Sequence, residues 1–202
     1  MALIILAGGR GTRLGRPKWQ LALGGTPVMA ALVTQLRFAG EVLLAAADPA
    51  AAAGLMARRV ADPPGAAGPL AGIAAGLTAS PDAHNLVVAC DMPFPPPALG
   101  RDLLAILARG YDAAVPCPNG WPEPTFAAYA RTCLPAIERS LAAGRFKVTG
   151  FYDDVRTYRL SDAELARYGP RELSFLNINT PDDLARAEEL LPAARAAGCW
   201  PR

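Results

Sequence analysis

Five apolar residues, Ala2-Leu3-Ile4-Ile5-Leu6, run straight into Ala7-Gly8-Gly9-Arg10-Gly11-Thr12-Arg13-Leu14-Gly15-Arg16-Pro17-Lys18. An unbroken apolar run suits a strand covered on both faces, as in a parallel sheet; a half-solvated strand would alternate. The loop that follows carries four glycines, three arginines and a lysine between Gly8 and Lys18. Glycine lets backbone N–H groups approach a ligand closely, and cations on the same loop favour an anion. In open α/β sheets, ligands bind at loops on the carboxyl ends of parallel strands. A solvated surface turn has no need of this density of glycine and cation together.

The rest of the chain repeats the pattern of short apolar runs between longer helical ones, which predicts an α/β fold with a mostly parallel sheet. Strands are expected at residues 41–45, 85–89, 113–115, 126–130, 157–160 and 174–178. Thr26-Pro27 reads as N-cap and first helical residue of a helix to about residue 38, ending near Gly40. Asp48-Pro49 opens an alanine-rich helix to about 59, Pro69 opens another through 77, and further helices cover 98–108 and 134–142. Thr180-Pro181-Asp182-Asp183 starts a last helix to about 191, with Asp183 at the capping-box position where Glu is usual. Residues 62–69, rich in Gly and Pro, are a loop.

Composition sets limits on function. The length of 202 residues, without repeat or separating linker, suits one domain. A net charge of +2 with no long Lys/Arg run argues against a nucleic-acid surface. The cysteines, Cys90, Cys117, Cys133 and Cys199, form no CxxC pair, so they read as free thiols in a reducing cytosol rather than zinc ligands. The apolar start is too short for a signal peptide, and no run is long enough to span a bilayer. A cytoplasmic protein without membrane attachment is expected.

Two familiar phosphate loops fail on spacing. A Walker A loop needs GK followed by Ser or Thr, whereas Gly15 precedes Arg16-Pro17-Lys18; a GxGxxG fingerprint meets Leu14 where its third glycine belongs. What remains is a strand, a long glycine loop whose Gly8, Gly9 and Gly11 let the backbone wrap a triphosphate, and cations at Arg13 and Lys18 to neutralise it.

The stretch Leu6-Ala7-Gly8-Gly9-x-Gly11-Thr12-Arg13-Leu14-Gly15-x-Pro17-Lys18 resembles the signature loop of nucleotidyltransferases that join an NTP to a phosphorylated acceptor. Three more stretches narrow the resemblance to the molybdenum cofactor guanylyltransferase family. They are Asp62 with Gly68-Pro69-Leu70-Ala71-Gly72, then Cys90-Asp91-Met92-Pro93-Phe94, then Asn177-Ile178-Asn179-Thr180-Pro181-Asp182-Asp183-Leu184. The resemblance spans residues 3 to about 190. It departs from the family at Ala45-Ala46-Ala47, where an asparagine near the nucleotide is usual, and at Thr125, where an aliphatic residue is usual.

The resemblance implies a single Rossmann-like three-layer α/β domain over 1–202, with a mostly parallel twisted sheet like that of nucleotide-diphospho-sugar transferases. It implies a nucleotide-binding half at about 1–110 and an acceptor-binding half at about 111–191. The implied reaction joins GTP and molybdopterin to give the guanine dinucleotide cofactor and pyrophosphate, with Mg²⁺, or Mn²⁺ as substitute. Transient contact with other cofactor-assembly proteins is the further partner it implies.

The attacking phosphate monoester is already largely dianionic near neutral pH and needs no general base; the lone histidine, His84, reads as a surface residue. Arg13, Lys18 and Asp91 are the expected catalytic residues, with Asp91 as metal ligand; capping the turn at Met92-Pro93 is its alternative. Nucleotide contacts are expected at Leu6, Ala7, Gly8, Gly9, Gly11, Lys18, Asp62, Gly68 and Asp91, although Asp62 also reads as a turn former. Arg145, Lys147, Asn177 and Asn179 are expected on the acceptor side. A solvated helix end explains the first two equally, and Asn179 alternatively holds its own loop. Trp19 reads as core packing and Cys90 as inert.

The nearest rival is the cytidylyltransferase branch acting on the same pterin, which usually reads LAAG where this chain has Leu6-Ala7-Gly8-Gly9. Other NTP:phospho-acceptor enzymes rank below it. A non-catalytic GTP-binding regulator is the rival of a different class.

Overall fold

The computed structural model of the protein describes residues 1–8 and 12–201; the contacts expected at Gly9 and Gly11 lie outside the described residues. The strands in chain order are β1 (Ala2–Leu6), β2 (Ala22–Leu23), β3 (Thr26–Pro27), β4 (Glu41–Ala45), β5 (Arg58–Val60), β6 (His84–Ala89), β7 (Ala113–Pro116), β8 (Phe126–Ala130) and β9 (Thr157–Leu160). The helices are α1 (Val28–Leu36), α2 (Pro69–Ala79), α3 (Pro97–Leu107), α4 (Leu134–Ala142), α5 (Asp162–Leu165), α6 (Arg171–Ser174) and α7 (Pro181–Ala196).

Among the described residues, seven strands form one sheet in the order β5-β4-β1-β6-β8-β7-β9, with β2 and β3 as a separate hairpin. Within that sheet only β8 runs antiparallel to its neighbours; the sheet's other pairings are parallel. Every residue of β1 is buried. Its odd residues Leu3 and Ile5 pack in the core beneath α1, α3 and α7. Its even residues Ala2, Ile4 and Leu6 pack in the core beneath α2 and α4. Helices therefore cover both faces, which is why this strand has no polar residue to alternate. The fit under α2 is tight: a Cβ added at Gly76 would lie 2.6 Å from Ile4 Cγ2.

Several expected boundaries moved. Thr26-Pro27 does not open a helix. It pairs with Ala22-Leu23 across Gly24 and Gly25, whose φ values of 52° and 77° close a tight turn. α1 starts at Val28 without a side-chain cap. Asp48 does cap a turn, its Oδ1 accepting the Ala50 N–H at 2.8 Å, but that turn ends at Ala52. Arg58-Arg59-Val60 join β4 as an edge strand instead. Residues 174–178 are not a strand: Ser174 closes α6, and in the stretch that follows the Ile178 N–H donates to the Asp91 carbonyl at 2.9 Å while its side chain is buried. α7 starts as expected, with both halves of its capping box made. It continues past residue 191 to Ala196, because Leu191 and Ala194 still face the core.

Candidate active site

β1 and β6 are neighbours, yet the chain leaves them in opposite directions. β1 leads through α1 to β4, and β6 leads through α3 to β7 on the far side. That divergence is a topological switch point, where a crevice opens at the carboxyl ends of the strands. The backbone pairing persists just beyond the strands there: the Cys90 N–H donates to the Leu6 carbonyl at 3.0 Å, and the Ala7 N–H to the Ala45 carbonyl at 2.9 Å. Asp91 follows immediately.

Lys18 lies in a 3₁₀ turn, Lys18–Gln20, and reaches across the switch point. Its Nζ donates to Asp91 Oδ2 at 2.5 Å and to Asn179 Oδ1 at 2.5 Å. The two side chains of the ion pair are 19% and 13% exposed; at that burial the charges are screened far less than in a surface pair. Asn179 is itself held from behind. Its N–H and that of Thr180 each donate to Asp183 Oδ2 at 2.9 Å, and the Ile178 N–H donates to the Asp91 carbonyl at 2.9 Å. The Asn179 hydrogen bond, more than any other contact, holds the Asp183 carboxyl below its ordinary range.

The first turn of α2 stands beside the ends of β1 and β4. Gly68 is its N-cap residue, with φ 92° and ψ −177°, a conformation closed to side-chain-bearing residues. A Cβ at Gly72 would lie 3.0 Å from Leu6 Cδ2, 3.3 Å from the Ala45 Cβ and 3.9 Å from Asp62 Oδ1. Asp62 is half-buried, and burial pushes its carboxyl up. Of Ala45-Ala46-Ala47, which replace the asparagine usual in the family, only Ala47 is exposed.

The structure thus brings Lys18, Asp91 and Asn179 together. Among the described hydrogen bonds Asn177 reaches none of them; its amide donates to the Phe175 carbonyl at 3.2 Å. Leu6 and Ala7 point into the core, so any contact they offer a ligand is through the backbone. Gly8 and Arg13 are exposed, and a Cβ at Gly8 meets nothing within 4 Å among the described residues. Arg145 and Lys147 are exposed after α4 and reach none of the three central side chains among the described contacts. Trp19 is half-buried against the core. Cys90 is buried, which raises its thiol and leaves it no reactive character.

Sequence reasoning missed two supports. Asp183 braces Asn179, though the capping-box spacing was the visible signal. Glu188 on α7 accepts the Gly24 N–H at 3.1 Å and 3.2 Å through its two oxygens, tying down the hairpin that follows Lys18. As for metals, no group of three His, Cys, Asp or Glu is placed to hold one among the described residues. Asp91 Oδ1 takes no hydrogen bond there, since Lys18 uses Oδ2. One free carboxylate oxygen fits a cation whose other ligands are phosphate oxygens and water.

Residues 3–155 match the family described as "MobA-like NTP transferase domain". The chain belongs to that family. It is 38% identical over 199 residues to a "Probable molybdenum cofactor guanylyltransferase" of Pelotomaculum thermopropionicum, covering 98% of this chain and 96% of the relative. It is 38% identical over 195 residues to the molybdenum cofactor guanylyltransferase of Cereibacter sphaeroides, covering 93% and 95%. The crystal structure of molybdopterin-guanine dinucleotide biosynthesis protein A from Archaeoglobus fulgidus is similar at a TM-score of 0.84 and 29% identity. That likeness covers 96% of this chain and 100% of the other. No described helix is long and apolar enough to cross a membrane.

Proposed function

We infer that this chain transfers GMP from GTP to the terminal phosphate of molybdopterin, forming the guanine dinucleotide cofactor and releasing pyrophosphate. The observation that carries the reading is Lys18 bridging Asp91 and Asn179 at the switch point, in a chain similar over nearly its whole length to guanylyltransferases. An oxygen of the acceptor phosphate attacks the α-phosphorus of GTP, and the bond from that phosphorus to the bridging oxygen of pyrophosphate breaks. No proton needs removing, so the work is bringing two anions together and stabilising the charge that leaves.

Lys18 and Arg13 supply positive charge at the triphosphate. The first-turn N–H groups of α2, beside Asp62 and Gly68, face the nucleotide. Asp91 would hold Mg²⁺, or Mn²⁺ in its place, through Oδ1. When bound, the cation neutralises phosphate charge and orients the leaving group. Asn179 fixes the Lys18 amine, while Arg145, Lys147 and Asn177 take the acceptor side. We read the chain as one domain whose two halves divide nucleotide and acceptor. The four buried, unbridged thiols support a reducing cytoplasm.

Incubation with each NTP, Mg²⁺ and molybdopterin, followed by mass analysis, tests the reading. GTP should exceed CTP by at least about 10-fold in kcat/KM, about 1.4 kcal/mol of differential transition-state binding. A cytidine product would make the chain the rival pterin enzyme, and GTP binding without pyrophosphate release would make it a regulator.

A further inference from the structure

We propose that Asp183 is a positioning residue for Lys18, acting through Asn179 as well as capping α7. The distinction lies in which N–H groups it accepts. A capping box requires the N3 carboxylate to take the N–H of the N-cap residue, here Thr180, and that bond is present at 2.9 Å. The same oxygen also takes the N–H of Asn179, one residue before the cap, at 2.9 Å. Helix capping does not call for this second bond.

Its consequence is at the active site. Asn179 ends a stretch with no strand pairing, so no ladder sets the direction of its side chain. Asp183 sets the backbone, and Asn179 Oδ1 then receives Nζ of Lys18 at 2.5 Å. Lysine has a flexible stem and a point charge, so without a second acceptor Lys18 would be oriented by Asp91 alone. The choice of acid fits: aspartate, one methylene shorter than the usual glutamate of the box, keeps its oxygen close enough to the main chain to serve both N–H groups.

The proposal rests on the role given to Lys18 above, and its test uses six variants of the full chain. Asp183→Asn should lower kcat for pyrophosphate release about 10-fold, as misplaced catalytic groups do. Asp182→Asn, which removes the exposed neighbouring acid of the same helical turn, should leave kcat unchanged. Asp183→Glu should restore the unfolding midpoint without restoring full turnover. In an Asn179→Ala background, Asp183→Asn should cost no further activity. The ¹⁵N resonance of the Lys18 ammonium, assigned by its loss in Lys18→Ala, should shift or broaden in Asp183→Asn and stay put in Asp182→Asn. Equal costs of Asp183→Asn with and without Asn179, or an unmoved Lys18 resonance, would reduce Asp183 to a helix cap. A wild-type protein that releases no pyrophosphate would instead overturn the functional reading, while the resonance would still report on the positioning.

Discussion

The parallel strands β1, β4 and β6 place their ligand-facing groups differently from the stretch that runs from α6 into α7. In the first region the register does the placing. Leu6 pairs with Ala45 on one side and with Ala89 on the other, so the chain leaves all three strands at one level and Asp91 emerges there. In the second region no ladder exists between residues 174 and 180. Asn179 is held by a carboxylate four residues ahead and by a neighbouring peptide N–H bonded to the Asp91 carbonyl. Ladder pairing aims Asp91, whereas a side-chain carboxylate and one isolated peptide hydrogen bond aim Asn179. A site built this way has a rigid wall and a wall that single substitutions can loosen.

The largest expected effect tests the rigid wall. Asp91→Asn keeps the shape and local hydrogen bonding but loses the charge, so turnover should fall by at least about 100-fold, about 2.7 kcal/mol, with folding intact. Pyrophosphate release measured beside thermal unfolding checks both halves; near-normal turnover would remove Asp91 from the mechanism. Lys18→Ala, which empties the space between the two walls, should cost roughly 1.5–3 kcal/mol in kcat/KM for GTP. Lys18→Arg should recover only part, because a planar fork does not replace a point charge between two close acceptors.

Two glycines sharpen the contrast between scaffold and loop. Gly76→Ala drives a methyl against Ile4 and should cost about 1–3 kcal/mol of stability, read from denaturant unfolding. Gly8→Ala, with no described atom within 4 Å of the new Cβ, should leave the unfolding midpoint in place and weaken GTP use. A Gly8→Ala protein that unfolds early would make Gly8 part of the scaffold.

The smallest effect concerns Asp62, whose carboxyl burial pushes up. Ionised Asp62 therefore opposes folding at neutral pH, and the opposition disappears in acid, where folded and unfolded chains are both protonated. Asp62→Asn should raise the unfolding midpoint slightly near pH 7, and the gain should fade towards about pH 4. A gain that persists unchanged in acid would assign the effect to packing instead.

The sequence alone determined the features written in short spacings. The apolar runs within 2–6, 41–45 and 85–89 became the parallel centre of the sheet. Thr180-Pro181-Asp182-Asp183 capped a helix as its pattern required, because capping partners lie within one turn. The four motifs pointed to the family. Gly24-Gly25 is a hairpin signal in the sequence, and it outweighs the helix-start signal of Thr26-Pro27. Tertiary structure alone decided that residues 174–178 stay out of the sheet: Phe175 packs against Phe126 and Ile178 is buried without any strand pairing. It alone brought Lys18 to Asp91, 73 residues on, and to Asn179, 161 residues on. No spacing rule spans such separations. They close only when strand order and register have set two loops side by side and a capping carboxylate has turned the third towards them.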